Sequence, residues 1–74
     1  MTAVIHLNDG KSVSVENFSE VLVYVRGGTG GRSFKEESVK TLTLFNSALC
    51  TFVGEKTTVA FVSDVIQYVE FIKD

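Results

Sequence analysis

The chain holds one cysteine, one histidine and no proline among its 74 residues, and it has no long apolar run. Cys50, being alone, cannot close an internal disulfide, whereas small secreted domains with marginal cores are usually held by several bridges. The sequence therefore points to the cytoplasm. His6 has neither a second histidine nor a cysteine near it, so a metal site would have to be assembled from scattered carboxylates and the distant Cys50. A single histidine also leaves a cysteine nucleophile one base to draw on and no evident orienting group. No stretch approaches the ~18 apolar residues that a membrane-spanning helix needs. Met1–Asn8 is too short for a secretion signal and lacks its basic start. Excess charge is missing too. At a formal net charge of −2 the chain has no general attraction for phosphate backbones or anionic lipid, so no membrane partner is expected and nucleic acid is disfavoured. The lack of proline carries no functional meaning.

What is present is apolar enough to fold: 45% hydrophobic against 22% charged residues, which argues against disorder and for one small domain. Asn8-Asp9-Gly10-Lys11 separates two alternating runs, Thr2–Leu7 and Ser12–Val15, and an Asp-Gly pair in that position predicts a hairpin. Alternation puts Ala3, Ile5 and Leu7 on one face with Val13 and Val15, and Ser12, Ser14 and Glu16 on the other. After a short polar turn at Asn17–Ser19, Glu20–Arg26 is apolar on both faces. That pattern predicts a central strand, or one whose second face meets a partner.

Four of the six glycines fall in Gly27–Gly31, so Arg26–Ser33 reads as a flexible loop. Beyond it two signals compete. Ser33–Glu36 fits a helix capping box, with Val39, Leu42, Phe45 and Leu49 near helical spacing. Thr41 and Thr43 alternating with Leu42 and Leu44 fit a strand better, and strand is the reading favoured for Val39–Asn46. Ala48–Val53 and Thr57–Val62 form a second hairpin around Gly54-Glu55-Lys56. Val65–Ile72 reads as a final strand, with a Ser63-capped helix as the alternative. The expected fold is all-β, with at most one short helix near Phe34–Asn46: a small antiparallel barrel or curled sheet, SH3-like.

The stretches "DGKSVSVENFSEVLVYV" (Asp9–Val25) and "TFVGEKTTVAFVSDVIQYVEFI" (Thr51–Ile72) together resemble small uncharacterised proteins encoded by phages and mobile elements of Gram-positive bacteria. The resemblance implies a short accessory protein that acts by binding, and some proteins of that kind inhibit host defence systems by occupying a surface. It transfers no signature residue.

The residues themselves offer no catalytic set. Cys50 alternates with Ala48 and Phe52 as a small core residue does. The carboxylates Glu16, Glu20, Glu36, Glu37, Glu55, Asp64, Glu70 and Asp74 are spread over turns and strand faces, as solvated charges are. The glycine run stands above this background, because loops on a rigid scaffold often carry binding function. The candidate contact residues are Tyr24, Arg26, Gly27, Gly28, Thr29, Gly30, Gly31 and Arg32. Their backbone N–H groups would suit an anion nest, but no Lys-Ser/Thr pair follows the last glycine as a phosphate loop requires. The expected function is non-enzymatic protein binding without a cofactor. The alternative is a small nucleic-acid-binding barrel, with Phe18, Tyr24 or Tyr68 stacking on bases and Arg26, Arg32, Lys35 and Lys40 on phosphates. A homodimer is expected as well, since a small sheet has edges to cover and Leu22, Tyr24, Ile66, Tyr68 and Ile72 exceed what one core buries.

Overall fold

The computed structural model describes residues 1–25, 27, 30–42 and 47–74, and among them seven strands form two antiparallel sheets. In chain order they are β1 (Thr2–Leu7), β2 (Ser12–Val15), β3 (Phe18–Val25), β4 (Gly31–Lys35), β5 (Ala48–Gly54), β6 (Thr58–Val62) and β7 (Ile66–Ile72). One sheet runs β2-β1-β7, the other β4-β3-β5-β6. The fold is all-β as expected. Among the described residues no ladder joins the two sheets into a closed barrel.

The first hairpin forms around its Asp-Gly turn. The Leu7 N–H donates to the Lys11 carbonyl at 2.8 Å, and the Asp9 carboxylate accepts the Lys11 N–H at 2.9 Å. Ala3 pairs with Val15 and Ile5 with Val13, which puts Ala3, Ile5 and Val15 in the core with no exposed surface. The chain then changes sheet at Glu16 and Asn17, where Asn17 takes φ 51, a left-handed conformation that asparagine tolerates better than most residues. Phe18 does not belong to a polar turn: it opens β3 and is only 4% exposed. Ser19 is an extra residue in the ladder with β5, and its hydroxyl donates to the Val53 carbonyl at 3.1 Å. This bulge turns both Phe18 and Val21 inward despite their odd spacing. A second bulge in the β1–β7 ladder, at Gln67, does the same for Ile66 and Val69.

β3 is central, as its two apolar faces predict, with β4 on one side and β5 on the other. The glycine run is shorter as a loop than expected. Gly31, Arg32 and Ser33 belong to β4 and pair with Tyr24, Val23 and Leu22. Ser33–Lys35 is likewise strand and caps no helix, because Phe34 turns into the core. The strand expected over Val39–Asn46 is corrected in its first part, where Val39–Thr41 is a single 3-10 turn; residues 43–46 lie outside the described ones. Ser38 diverts the backbone there. Its Oγ accepts the Lys35 N–H at 3.0 Å and its carbonyl accepts the Thr41 N–H at 3.1 Å, bonds that compete with a ladder. The turn also sinks Val39 into the core.

The second hairpin and the last strand form where the sequence places them. Ser63 caps no helix. It belongs to a 3-10 turn, Ser63–Val65, that staples the sheets together: its Oγ accepts the Ala48 N–H at 3.1 Å, the Asp64 carboxylate accepts the Ser47 N–H at 2.9 Å, and the Asn8 N–H reaches the Val65 carbonyl at 3.0 Å. Val21, Val23, Ala48, Cys50 and Phe52 of the larger sheet close over Ala3, Ile5, Val15 and Ile66 of the smaller one. Each fully buried Val, Ile or Phe contributes about 1.5–3 kcal/mol relative to exposure. The sheets approach closely at Gly54, where a Cβ would lie 2.6 Å from both the Glu16 carbonyl oxygen and a Val15 methyl.

Candidate functional site

Two outward faces remain, one per sheet. On the smaller sheet, His6 pairs with Ser12 on one side and Tyr68 on the other. Its ring stacks on Tyr68 with centroids 4.1 Å apart and planes 16° apart. Its Nε2 lies 2.5 Å from Glu70 Oε1. The imidazole is thus held by an aromatic face and a carboxylate on a flat, open sheet surface, and no deep cleft surrounds it. Sequence alternation places each of these side chains outward, but nothing local announces that β7 pairs with β1.

On the larger sheet, Tyr24, Leu49 and Val62 sit side by side across β3, β5 and β6, at 47%, 45% and 43% exposure. Leu22, Thr51 and Ala60 form the next row, and Lys35, Glu20, Val53 and Thr58 the last. Apart from the Glu20–Lys35 pair this face is uncharged. Gly31 shapes it. A Cβ there would lie 2.4 Å from Tyr24 Cε1, so the missing side chain is what lets the Tyr24 ring lie down across the edge strand. That gives Gly31 a packing role in place of the loop role read from the glycine run.

The other expected contact residues divide. Gly27 and Gly30 are exposed beside this face with φ 79 and 84. Arg32 lies in β4 with its guanidinium carbon 5.1 Å from the Phe34 ring centroid. Gly31 and Arg32 are in a strand ladder. Arg26, Gly28 and Thr29 lie outside the described residues.

Phe18 is buried, 5.2 Å from the Phe71 ring, so it cannot stack on a base. Tyr24 and Tyr68 are on different sheets. Lys35 pairs with Glu20 in register, and Lys40 shares a hollow of about 550 Å³ with Glu36, Glu37 and Lys73 above Val39 and Phe71. Glu36 and Glu37 stand there against Lys40, Lys73 and the Met1 ammonium, which pairs with Asp74, a mixture that selects no ligand charge. Ile66, expected to be left over for self-association, is in the core at 7% exposure.

Cys50 is buried, and burial pushes its thiol pKa up, because a thiolate would lose its hydration. It is a core side chain with the chemistry of one, poorly ionised near neutrality. Among the described residues no group of three or more His, Cys, Asp or Glu is placed to hold a metal ion, and no helix is long and apolar enough to cross a membrane. No protein-family model matches the sequence, and no curated protein or solved structure shows significant similarity to it.

Proposed function

We propose that the chain is a non-enzymatic protein-binding module whose docking face is the outward side of the β4-β3-β5-β6 sheet. One observation carries this reading: Tyr24, Leu49 and Val62 form a contiguous apolar row on a sheet, with the Tyr24 ring lying over Gly31. An aromatic side chain has few rotatable bonds and so loses little entropy on binding, and clusters of this kind act as anchors at protein interfaces. The tip glycines Gly27 and Gly30 border the face at its Tyr24 end, and the Glu20–Lys35 pair supplies charge at the other end. An accessory or inhibitory role in the cytoplasm, as the likeness to phage proteins implies, is a role of this kind. The proposal treats the two sheets as halves of a partly open, SH3-like barrel. Nucleic-acid binding gains no support from the geometry, since Phe18 is buried and the two outward tyrosines do not share a surface.

The test uses the whole chain as bait in three forms: wild type, Leu49→Lys and His6→Ala. A partner protein held by wild type and by His6→Ala but lost from a folded Leu49→Lys supports the docking face. A partner held equally by all three places the contact elsewhere and overturns it.

A further inference from the structure

Resting on that reading of the docking face, we infer that the partner protein reaches it with an extended, uncharged segment that pairs with β6 as a further strand of the sheet. β6 is an edge strand, and the turn before it sets the direction of its backbone groups. The Gly54 N–H donates to the Thr57 carbonyl at 2.8 Å, which makes Gly54–Thr57 a hydrogen-bonded pair. Such pairs alternate along an antiparallel ladder. Phe52–Val59 and Cys50–Phe61 are therefore bonded pairs, and Thr58, Ala60 and Val62 turn their backbone groups away from β5. The Val62 carbonyl is taken up as the cap of the following 3-10 turn. What stays open is a row made of the N–H and C=O of Thr58, the N–H and C=O of Ala60 and the Val62 N–H, with no partner among the described residues. Donors and acceptors that repeat at every second residue along one line are what an extended backbone satisfies.

The side chains agree with the backbone. Val59 and Phe61 face the core yet stay partly exposed, while their cross-strand neighbours Phe52 and Cys50 have no exposed surface. The core layer thus ends open at β6, and apolar side chains at alternate positions of an added strand would close it. On the outward face the added strand would continue the row Tyr24-Leu49-Val62, which joins this edge to the docking face. The other edges are guarded. β4 carries Arg32 and Lys35, β7 carries Glu70, and β2 runs between Lys11 and Glu16, whereas β6 runs between Thr57 and Ser63 and holds no charge. Charges along an edge oppose a further strand, so β6 is where this sheet accepts one.

The probe is a capped peptide that copies β5 (Ala48–Gly54), with Cys50→Val and a lysine added at each end, titrated into the intact chain while amide exchange is followed residue by residue. In the chain alone, the amides of Thr58, Ala60 and Val62 should exchange fast beside slow Val59 and Phe61. Slow exchange at all of them overturns the open edge. The peptide should slow the first three by about tenfold or more. Ala60→Pro removes an N–H that faces away from β5, a change edge strands tolerate, and should weaken peptide binding by about tenfold. Thr58→Pro, at the first residue of the strand, is the second variant in case Ala60→Pro does not fold. The inference is overturned by a peptide that binds both proline variants as it binds wild type, or by no binding at about 1 mM. The same amides slowing on concentration of the chain alone would give the edge to a second copy and overturn the partner's segment. As baits, the variants separate this inference from the docking face. A partner held by Ala60→Pro but lost from Leu49→Lys sinks the added strand and leaves the face intact, and the reverse pattern sinks the face and keeps the strand.

Discussion

The two sheets share one core and turn different chemistries outward. On the smaller one, His6 lies against Tyr68 and bonds Glu70, with Ser12 and Ser14 beside them and Ile72 half exposed. On the larger one, Leu22, Tyr24, Leu49 and Val62 lie side by side in the ladder, the last three nearly half exposed. The same period-two alternation generates both faces, so alternation does not distinguish a wet surface from a docking surface. What distinguishes them is whether the outward residues of neighbouring strands find partners across the ladder. The edges do not follow that division: β4 carries Arg32 and Lys35 and β7 carries Glu70, charges that discourage further strand pairing, whereas β2 and β6, one edge of each sheet, carry none.

The largest break in this comparison comes from separating the sheets. Gly54→Ala places a methyl group 2.6 Å from the Glu16 carbonyl oxygen and from a Val15 methyl. Backbone on one side leaves little room to yield, so overpacking should destabilise the domain by about 3 kcal/mol. Chemical denaturation should show one transition at lower midpoint by both tyrosine fluorescence and far-UV dichroism. If the two probes separate, the sheets are independent units and the shared core is the wrong picture.

Gly31 sharpens the comparison within the larger sheet. Gly31→Ala meets the far end of the Tyr24 ring, which can swing away, so the loss should be only about 1 kcal/mol, near the low end for overpacking. In a Tyr24→Ala background the obstacle is gone. There the same substitution should become stabilising by roughly 0.4–1 kcal/mol, because alanine narrows the unfolded ensemble. A double-mutant cycle reads this change of sign directly. Equal effects in both backgrounds would show that Tyr24 does not rest on Gly31.

The hairpins were legible because their signals are local: Asp9-Gly10 between alternating runs, and Gly54-Glu55-Lys56 between two more. The inward set Ala48, Cys50 and Phe52 was legible for the same reason. Three things were not. Single-residue bulges at Ser19 and Gln67 shift the face of everything beyond them, so plain alternation reads Phe18 as turn and Ile66 as surface. Gly31 carries its loop signal into a strand, since its reason for being glycine is a tyrosine seven residues earlier. The row Tyr24-Leu49-Val62 depends on β5 crossing to the far side of β3 from β4. Each strand displays its own outward residue, and only the strand order makes them neighbours. The same nonlocality hid the His6–Glu70 contact, whose partners are 64 positions apart.

The smallest effect belongs to that contact. The His6 side chain is a quarter exposed and that of Glu70 half exposed, and ion pairs in such settings are worth about 0.2–1 kcal/mol before salt screening. Glu70→Gln keeps an oxygen that can accept from the imidazole and leaves the Tyr68 stack in place. Its cost to stability should therefore stay under about 0.5 kcal/mol, as for other surface changes, measurable as a small shift in the denaturation midpoint at unchanged slope. The same variant should capture a partner protein as the wild type does, since His6, Tyr68 and Glu70 project from the opposite sheet to Leu49. A Glu70→Gln chain that lost the partner while remaining folded would reverse the assignment of the two faces, making the polar cluster the contact surface and the apolar row a bystander.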